Sequence, residues 1–110
     1  MTFAMERNRV AGAACVAVAG EVDVETAPRM RDALVEAIAD GEQVVVDLGA
    51  VTFMDSSGLS ALVVAQRVAE ARGVRLRLRG VRPRVMRLIT INGAHGMFSV
   101  EALPTDDSRR

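Results

Sequence analysis

The spacing of hydrophobic positions changes along the chain, and each spacing predicts a different kind of element. Residues 2–7 and 14–22 carry small or β-compatible side chains on either side of the turn-prone stretch 8–12, which predicts two antiparallel strands. Residues 74–80 alternate apolar side chains with arginines, a pattern typical of a strand that has one solvated face. Residues 97–100 predict a short last strand.

Three segments repeat apolar residues every three or four positions, which predicts three amphipathic helices. The first begins at Thr26, has Pro28 in its first turn and stops at residues 40–41. The second follows Asp55 and continues to about Arg72. The third begins at Pro83 and stops at residues 92–93.

The stretch 44–60, VVVDLGAVTFMDSSGLS, links the central strand to the second helix. We expect a buried strand over 44–48, a turn at Gly49, and a short second extension through 52–54. The resulting order ββαβαβαβ predicts an α/β domain with a mixed sheet of four to five strands and about three helices mainly on one face. The domain is expected to cover residues 1–103, and 104–110 to form a polar, disordered tail.

Asp55, Ser56 and Ser57 are residue types that favour helix starts, because their side-chain oxygens accept hydrogen bonds from unpaired backbone N–H groups. A serine hydroxyl at a helix N-terminus tolerates added negative charge, since the helix dipole and free amides attract anions. Gly58 is expected to leave the neighbouring surface bare for a large partner. From the residues alone, the same pattern also fits an ordinary helix cap.

The sequence FMDSSGL, after a strand that ends in Asp47-Leu48, resembles the signature of STAS domains, in particular the bacterial anti-sigma-factor antagonists. The sequence GEVD at residues 20–23 is similar to the Gly-Glu-Leu-Asp of that family. The order of elements after the signature also follows the family, so the likeness covers about residues 8–100. The resemblance implies a single STAS domain that acts as a regulator of transcription.

In that family, the unmodified antagonist binds an anti-sigma factor that is also a serine kinase of the GHKL ATPase type. Such partner switching frees a sigma factor in stress responses or sporulation. The kinase phosphorylates the first serine of the motif, which corresponds to Ser56, and a metal-dependent serine phosphatase reverses the modification. The resemblance implies that the partner-binding surface includes Glu21, Asp23, Asp55, Ser57, Gly58 and Leu59.

Two other functions stay open at this point. STAS domains also serve as non-phosphorylated accessory or scaffold modules of lipid-transport or stress-sensing complexes. The helix start at Ser56 could also sense a nucleotide or another small anion. From the residues alone, Asp23 is better explained as a solvated loop carboxylate, whereas the resemblance implies that its loop lies beside the serine motif.

Composition argues against catalysis, metal binding and membrane insertion. The chain has one cysteine, Cys15, and one histidine, His95, so neither a disulfide framework nor a transition-metal site is expected. It has no lysine, which excludes a lysine-containing phosphate loop, and the serine motif is not a hydrolase elbow. We therefore expect a non-enzymatic protein with no cofactor and no catalytic residue. No apolar run reaches the roughly 20 residues of a membrane span, so we expect a soluble, cytoplasmic monomer or weak dimer.

Seven of the arginines lie between positions 72 and 87, in a chain whose formal net charge is zero. Three interpretations are open: a nucleic-acid footprint, a solvated face, and a docking surface for an acidic protein. Nucleic-acid binding is the least favoured, because the segment has no interleaved aromatic side chains. We expect no direct contact with nucleic acid.

Overall fold

The computed structural model describes residues 3–41 and 43–101 and begins with a hairpin. Strand β1 (Phe3–Val10) pairs antiparallel with β2 (Ala13–Val22). Both linking residues, Ala11 and Gly12, have positive φ angles of 52° and 82°, which suits a two-residue hairpin turn between twisted strands. The turn is therefore shorter than the predicted stretch 8–12, and β1 extends further.

The remaining elements alternate between helix and strand. They are α1 (Ala27–Ala39), β3 (Gln43–Met54), α2 (Ser56–Arg72), β4 (Leu76–Arg79), α3 (Pro83–Ile91) and β5 (Ser99–Val100). The strand order is β1-β2-β3-β4-β5, and every pair after the hairpin is parallel. The predicted α/β fold with a mixed sheet and three helices is confirmed, with five strands. The predicted tail, 104–110, lies outside the described residues.

One hydrophobic core lies between the helices and a single face of the sheet. Alternate residues of the central strands, among them Val16, Val46 and Leu78, belong to the same buried cluster as residues from all three helices. The helices contribute large side chains such as Leu34 of α1, Leu62 of α2 and Ile89 of α3, each without exposed surface. Because the three helices share this cluster, they cover the same face.

The prediction of a turn at Gly49 is wrong, since β3 runs unbroken from Gln43 to Met54. An extra residue is accommodated as a bulge: Ala17 pairs with Asp47, but Ala19 pairs with Ala50. The Asp47 carboxylate accepts a hydrogen bond of 2.9 Å from the Gly49 amide and so stabilises the irregular backbone. Glycine next to a short polar residue predicts a turn locally, whereas pairing with β2 keeps the segment extended.

Candidate functional site

The candidate site lies where β2 and β3 end at the same edge of the sheet. These strands are parallel, and their last pairs join Glu21 to Phe53 and Val22 to Met54. The backbone amide of Asp55 donates to the Val22 carbonyl over 3.2 Å. The loop after β2, which contains Asp23, therefore lies beside the start of α2, as the family resemblance implies.

The first turn of α2 is capped by the side chain of Asp55. Its Oδ1 atom accepts hydrogen bonds from the Ser57 amide at 2.9 Å and from the Gly58 amide at 3.4 Å. The cap predicted for this turn exists, but Asp55 provides it, whereas Ser57 and Gly58 supply the amide donors. Asp55 is thereby fixed in place and shapes the turn that presents Ser56.

Ser56 is the first residue of α2, and its side chain is exposed. Within the described parts of the chain, no side chain or carbonyl forms a hydrogen bond with its hydroxyl. Because Asp55 already caps the helix, the Ser56 hydroxyl is available for chemistry without loss of the cap.

Gly58 and Leu59 are buried, which corrects their predicted place on the contact surface. A Cβ atom at Gly58 would lie 2.5 Å from Cγ of Met54 and 2.9 Å from Cγ1 of Val22. Gly58 therefore allows α2 to pack closely against the ends of β2 and β3, and it leaves no bare surface for a partner. Leu59 belongs to the hydrophobic core and is only 6% exposed.

Asp23 organises the loop between β2 and α1. Its Oδ1 atom accepts from the amides of Glu25 at 3.0 Å and Thr26 at 3.2 Å, and from the Thr26 hydroxyl at 3.2 Å. The hydrogen bond from the Glu25 amide is the main cause that lowers the pKa of Asp23, followed by that from the Thr26 amide. Asp23 is thus a structural loop residue as well as a half-buried neighbour of the Ser56 turn.

Two valines beside the Ser56 turn were not singled out by the sequence analysis. Val24 is 71% exposed and Val64 is 41% exposed. They line a depression of about 290 Å³ between α1 and α2, together with Ser57 and Ser60. The sequence does carry a signal for Val64. Valines occupy the consecutive positions 63 and 64, and one buried helix face cannot cover both side chains. We call Val24, Ser56, Ser57, Ser60 and Val64 the α1–α2 patch.

The described residues include no candidate metal cluster and no candidate membrane-spanning helix. No group of three or more histidine, cysteine, aspartate or glutamate side chains there could hold a metal ion. In the same part of the chain, no helix combines the length and the apolar character that crossing a bilayer requires.

Residues 5–102 match the family described as Mlab, STAS domain. The anti-sigma-B factor antagonist of Bacillus subtilis is 33% identical over 87 residues, which cover 79% of this chain and 80% of that protein. The chain belongs to the STAS family. The Ser56 turn lies within the matched residues of this STAS domain, and it contains the sequence FMDSSGL that resembles the family signature.

Further relatives of this STAS domain are also described as anti-sigma factor antagonists. The anti-sigma-B factor antagonist of Listeria monocytogenes is 36% identical over 85 residues, 76% of this chain and 75% of that protein. The crystal structure of an anti-sigma factor antagonist from Mycobacterium paratuberculosis superimposes with a TM-score of 0.82 and 28% sequence identity. That comparison covers 97% of this chain and 90% of the other chain, so the shared fold extends over nearly the whole domain.

Proposed function

We propose that this STAS domain is a cytoplasmic anti-sigma-factor antagonist that acts by binding and not by catalysis. Its partner is an anti-sigma factor with serine kinase activity of the GHKL ATPase type, and phosphorylation of Ser56 releases that partner. A metal-dependent serine phosphatase restores the binding form. The observation that carries the proposal is the exposed Ser56 hydroxyl on a helix start that is capped independently by Asp55.

The position of the cap explains how modification would change binding without unfolding the domain. Phosphorylation adds a charge of about −1.5 to −2 and three strong acceptor oxygens. The positive end of the α2 dipole favours this charge. However, Asp55 already occupies the amides of Ser57 and Gly58, so the phosphate would project from the surface instead of entering a backbone cradle. Its main effect would therefore fall on a docked partner.

The surroundings of Ser56 suit such a switch. The exposed Val24 and Val64 offer apolar contact area, and their burial under a partner would exclude water from the α1–α2 patch. Glu21, Asp23 and Asp55 already make this edge of the sheet acidic. A phosphate placed there would have to be desolvated beside carboxylates, which is unfavourable unless a cation on the partner compensates it.

The roles of the site residues follow from this arrangement. Ser56 is the phosphoacceptor, Asp55 positions it, and Ser57 contributes to the α1–α2 patch. Glu21 and Asp23 belong to the facing loop, and Gly58 and Leu59 support the turn from beneath. The regulatory unit is taken as residues 1–103, with 104–110 as an appended polar segment.

The test is an affinity purification from native cell extract, with and without ATP, using the tagged full chain as bait. The baits are wild type, Ser56→Ala, Ser56→Asp, and the control Ser99→Asp, which places the same charge on an exposed serine of β5. We expect a kinase-type anti-sigma factor to bind wild type without ATP, and Ser56→Ala under both conditions. Ser56→Asp should bind at least about tenfold more weakly, which corresponds to about 1.4 kcal/mol.

Two outcomes would contradict the proposal. Equal binding of Ser56→Asp and wild type would remove the repulsion mechanism. Recovery of a transporter ATPase subunit by all four baits would favour the accessory-module function instead.

A further inference from the structure

A groove separates α3 from the last part of β3, away from the α1–α2 patch. Pairs between β3 and β4 stop at Asp47 and Arg79, whereas pairs between β3 and β2 continue to Met54. At Gly80, with φ of 70°, the chain leaves the sheet so close to Gly49 that a Cβ atom there would lie 2.9 Å from the Gly49 nitrogen. From Gly49 to Met54, no described strand therefore covers this edge of β3. We call the space between residues 49–54 of β3 and helix α3 the β3–α3 groove. Its volume is about 910 Å³.

The lining of the β3–α3 groove combines exposed apolar side chains with arginines. Phe53 on the strand is 46% exposed, and Ile91 on the helix is 74% exposed. Arg82, Arg84 and Arg87 also line the groove. Exposed apolar area of this kind, rimmed by charge, is typical of interaction surfaces.

The arginines of the segment 72–87 fall into two groups in the structure. Arg77 forms an ion pair with Glu101 at 3.1 Å, and Arg79 forms one with Asp47 at 3.2 Å, so these two guanidinium groups serve the fold. By contrast, Arg82, Arg84 and Arg87 form no ion pair and no side-chain hydrogen bond with any described residue. None of the described residues that line the groove is acidic, so they leave its positive charge uncompensated.

We propose that the β3–α3 groove binds an extended, acidic peptide segment with bulky apolar side chains. An uncovered strand edge can accept another strand through backbone hydrogen bonds. Guanidinium groups pair well with carboxylates, often through two parallel hydrogen bonds. A peptide strand that alternates acidic and apolar residues would place one set towards the arginines and the other towards Phe53 and Ile91.

The lining favours a peptide over single-stranded nucleic acid. Grooves for single strands combine positive charge with several aromatic side chains on which bases stack. Among the described residues of this lining, Phe53 is the sole aromatic one, and the chain as a whole has three phenylalanines and neither tryptophan nor tyrosine. This inference does not depend on phosphorylation of Ser56, because none of the groove residues belongs to the α1–α2 patch.

The experiment uses a random peptide library displayed on phage and selected on the immobilised full chain. We expect the enriched peptides to be acidic and to contain bulky apolar residues at alternate positions. A synthetic copy of the most enriched peptide should slow amide hydrogen exchange at alternate residues of the segment 50–54, because alternate amides of a strand face the uncovered edge and the others face β2. Its affinity should fall at least about tenfold in the double variant Arg84→Glu, Arg87→Glu.

Arg75→Glu is the matched control, since Arg75 is exposed just before β4, at the opposite end of the sheet. It should leave the affinity within about twofold of wild type. Circular dichroism checks that the double variant folds. Phe53→Ser removes apolar contact without a change of charge, and it should also lower the affinity for the peptide. Enriched peptides without acidic residues, unchanged affinity in both groove variants, or tight binding of a single-stranded oligonucleotide that displaces the peptide would each overturn the proposal.

Discussion

The two parts of β3 have opposite surroundings although they belong to one strand. From Val44 to Asp47 the strand is paired on both sides, and Val44, Val45 and Val46 are buried. From Gly49 to Met54 it has one neighbouring strand, and Ala50, Thr52 and Phe53 are exposed. The first part holds the fold together, whereas the second part leads to Ser56 and forms one wall of the β3–α3 groove.

The bulge at the middle of β3 separates these two environments. The Asp47 side chain bonds to both the Gly49 amide and the Arg79 guanidinium, so it lies where pairing with β4 ends. Beyond this point the strand no longer needs to match β4, and its free edge becomes available for binding. A buried strand that continues past its neighbour thus provides a rigid support for a surface site.

Leu48→Ala should have the largest effect on stability, because Leu48, directly after the doubly paired part of β3, is completely buried. We expect the free energy of unfolding to fall by about 2–5 kcal/mol, from lost apolar burial and the cavity left behind. Thr52→Ala, in the exposed second part, is the control and should change it by less than about 0.5 kcal/mol. Urea unfolding measures both. Similar losses in the two variants would contradict the division of β3.

Gly58→Ala tests whether α2 is held against the exposed part of β3 by close packing. The added methyl group would overlap Met54 and Val22, which should outweigh the higher helix propensity of alanine and destabilise the domain by about 1–2 kcal/mol. Gly96→Ala is the matched control, since a Cβ atom at Gly96 has no neighbour within 4 Å. Thermal unfolding compares the two. A Gly58→Ala variant that is more stable than wild type would show that the turn accommodates the added methyl group, and would contradict this prediction.

Asp55→Ala and Ser56→Ala separate the cap from the proposed phosphoacceptor. Loss of the Asp55 side chain leaves the Ser57 amide without its acceptor, whereas the Gly58 amide keeps the Asp55 carbonyl at 3.0 Å. The change should lower stability by about 1 kcal/mol. Ser56→Ala should change stability by less than about 0.5 kcal/mol, because its hydroxyl forms no hydrogen bond with the described residues. Chemical unfolding of both variants measures the difference. Equal losses would mean that Ser56 itself contributes to the cap.

The smallest effect concerns the pH dependence supplied by Asp23. Its pKa is lowered in the folded state by the Glu25 and Thr26 amides, so the folded protein binds a proton at Asp23 less readily than the unfolded chain. The resulting stabilisation is present above the ordinary aspartate pKa of about 4 and is lost as the pH falls through the lowered value. An NMR titration of the Asp23 carboxyl carbon should give a midpoint below the ordinary aspartate value. Asp23→Asn should reduce the loss of stability on acidification, and an unchanged acid profile would contradict this role.

Much of the fold followed from the sequence because local patterns and tertiary packing agree. The helical spacing of Met30, Leu34 and Ile38 predicts a buried face, and all three are fully buried. The alternation of leucine and arginine in β4 predicts two different faces, and the structure has Leu76 and Leu78 in the core and Arg77 and Arg79 outside it. The continuous course of β3 was missed because its bulge depends on pairing with β2, which no local pattern encodes.

The candidate site was predictable only in part. The family resemblance identified Ser56 as a candidate residue and implied that the Asp23 loop lies beside it. The burial of Gly58, by contrast, depends on side chains of Met54 and Val22 that come from two different strands. The β3–α3 groove was likewise not predicted, because it exists only where β4 stops pairing with β3. The sequence shows the positive charge of Arg82, Arg84 and Arg87, but only the structure shows that these side chains line a groove.

The most direct test of the switch is a tryptic mass map of the protein isolated from its native cells. Trypsin cuts after Arg31 and Arg67, so a single fragment, residues 32–67, contains Ser56, Ser57 and Ser60. The proposed function predicts the added mass of one phosphate on this fragment, placed on Ser56 by fragmentation. A phosphate confined to Ser57 or Ser60, or an unmodified fragment under every growth condition, would contradict it.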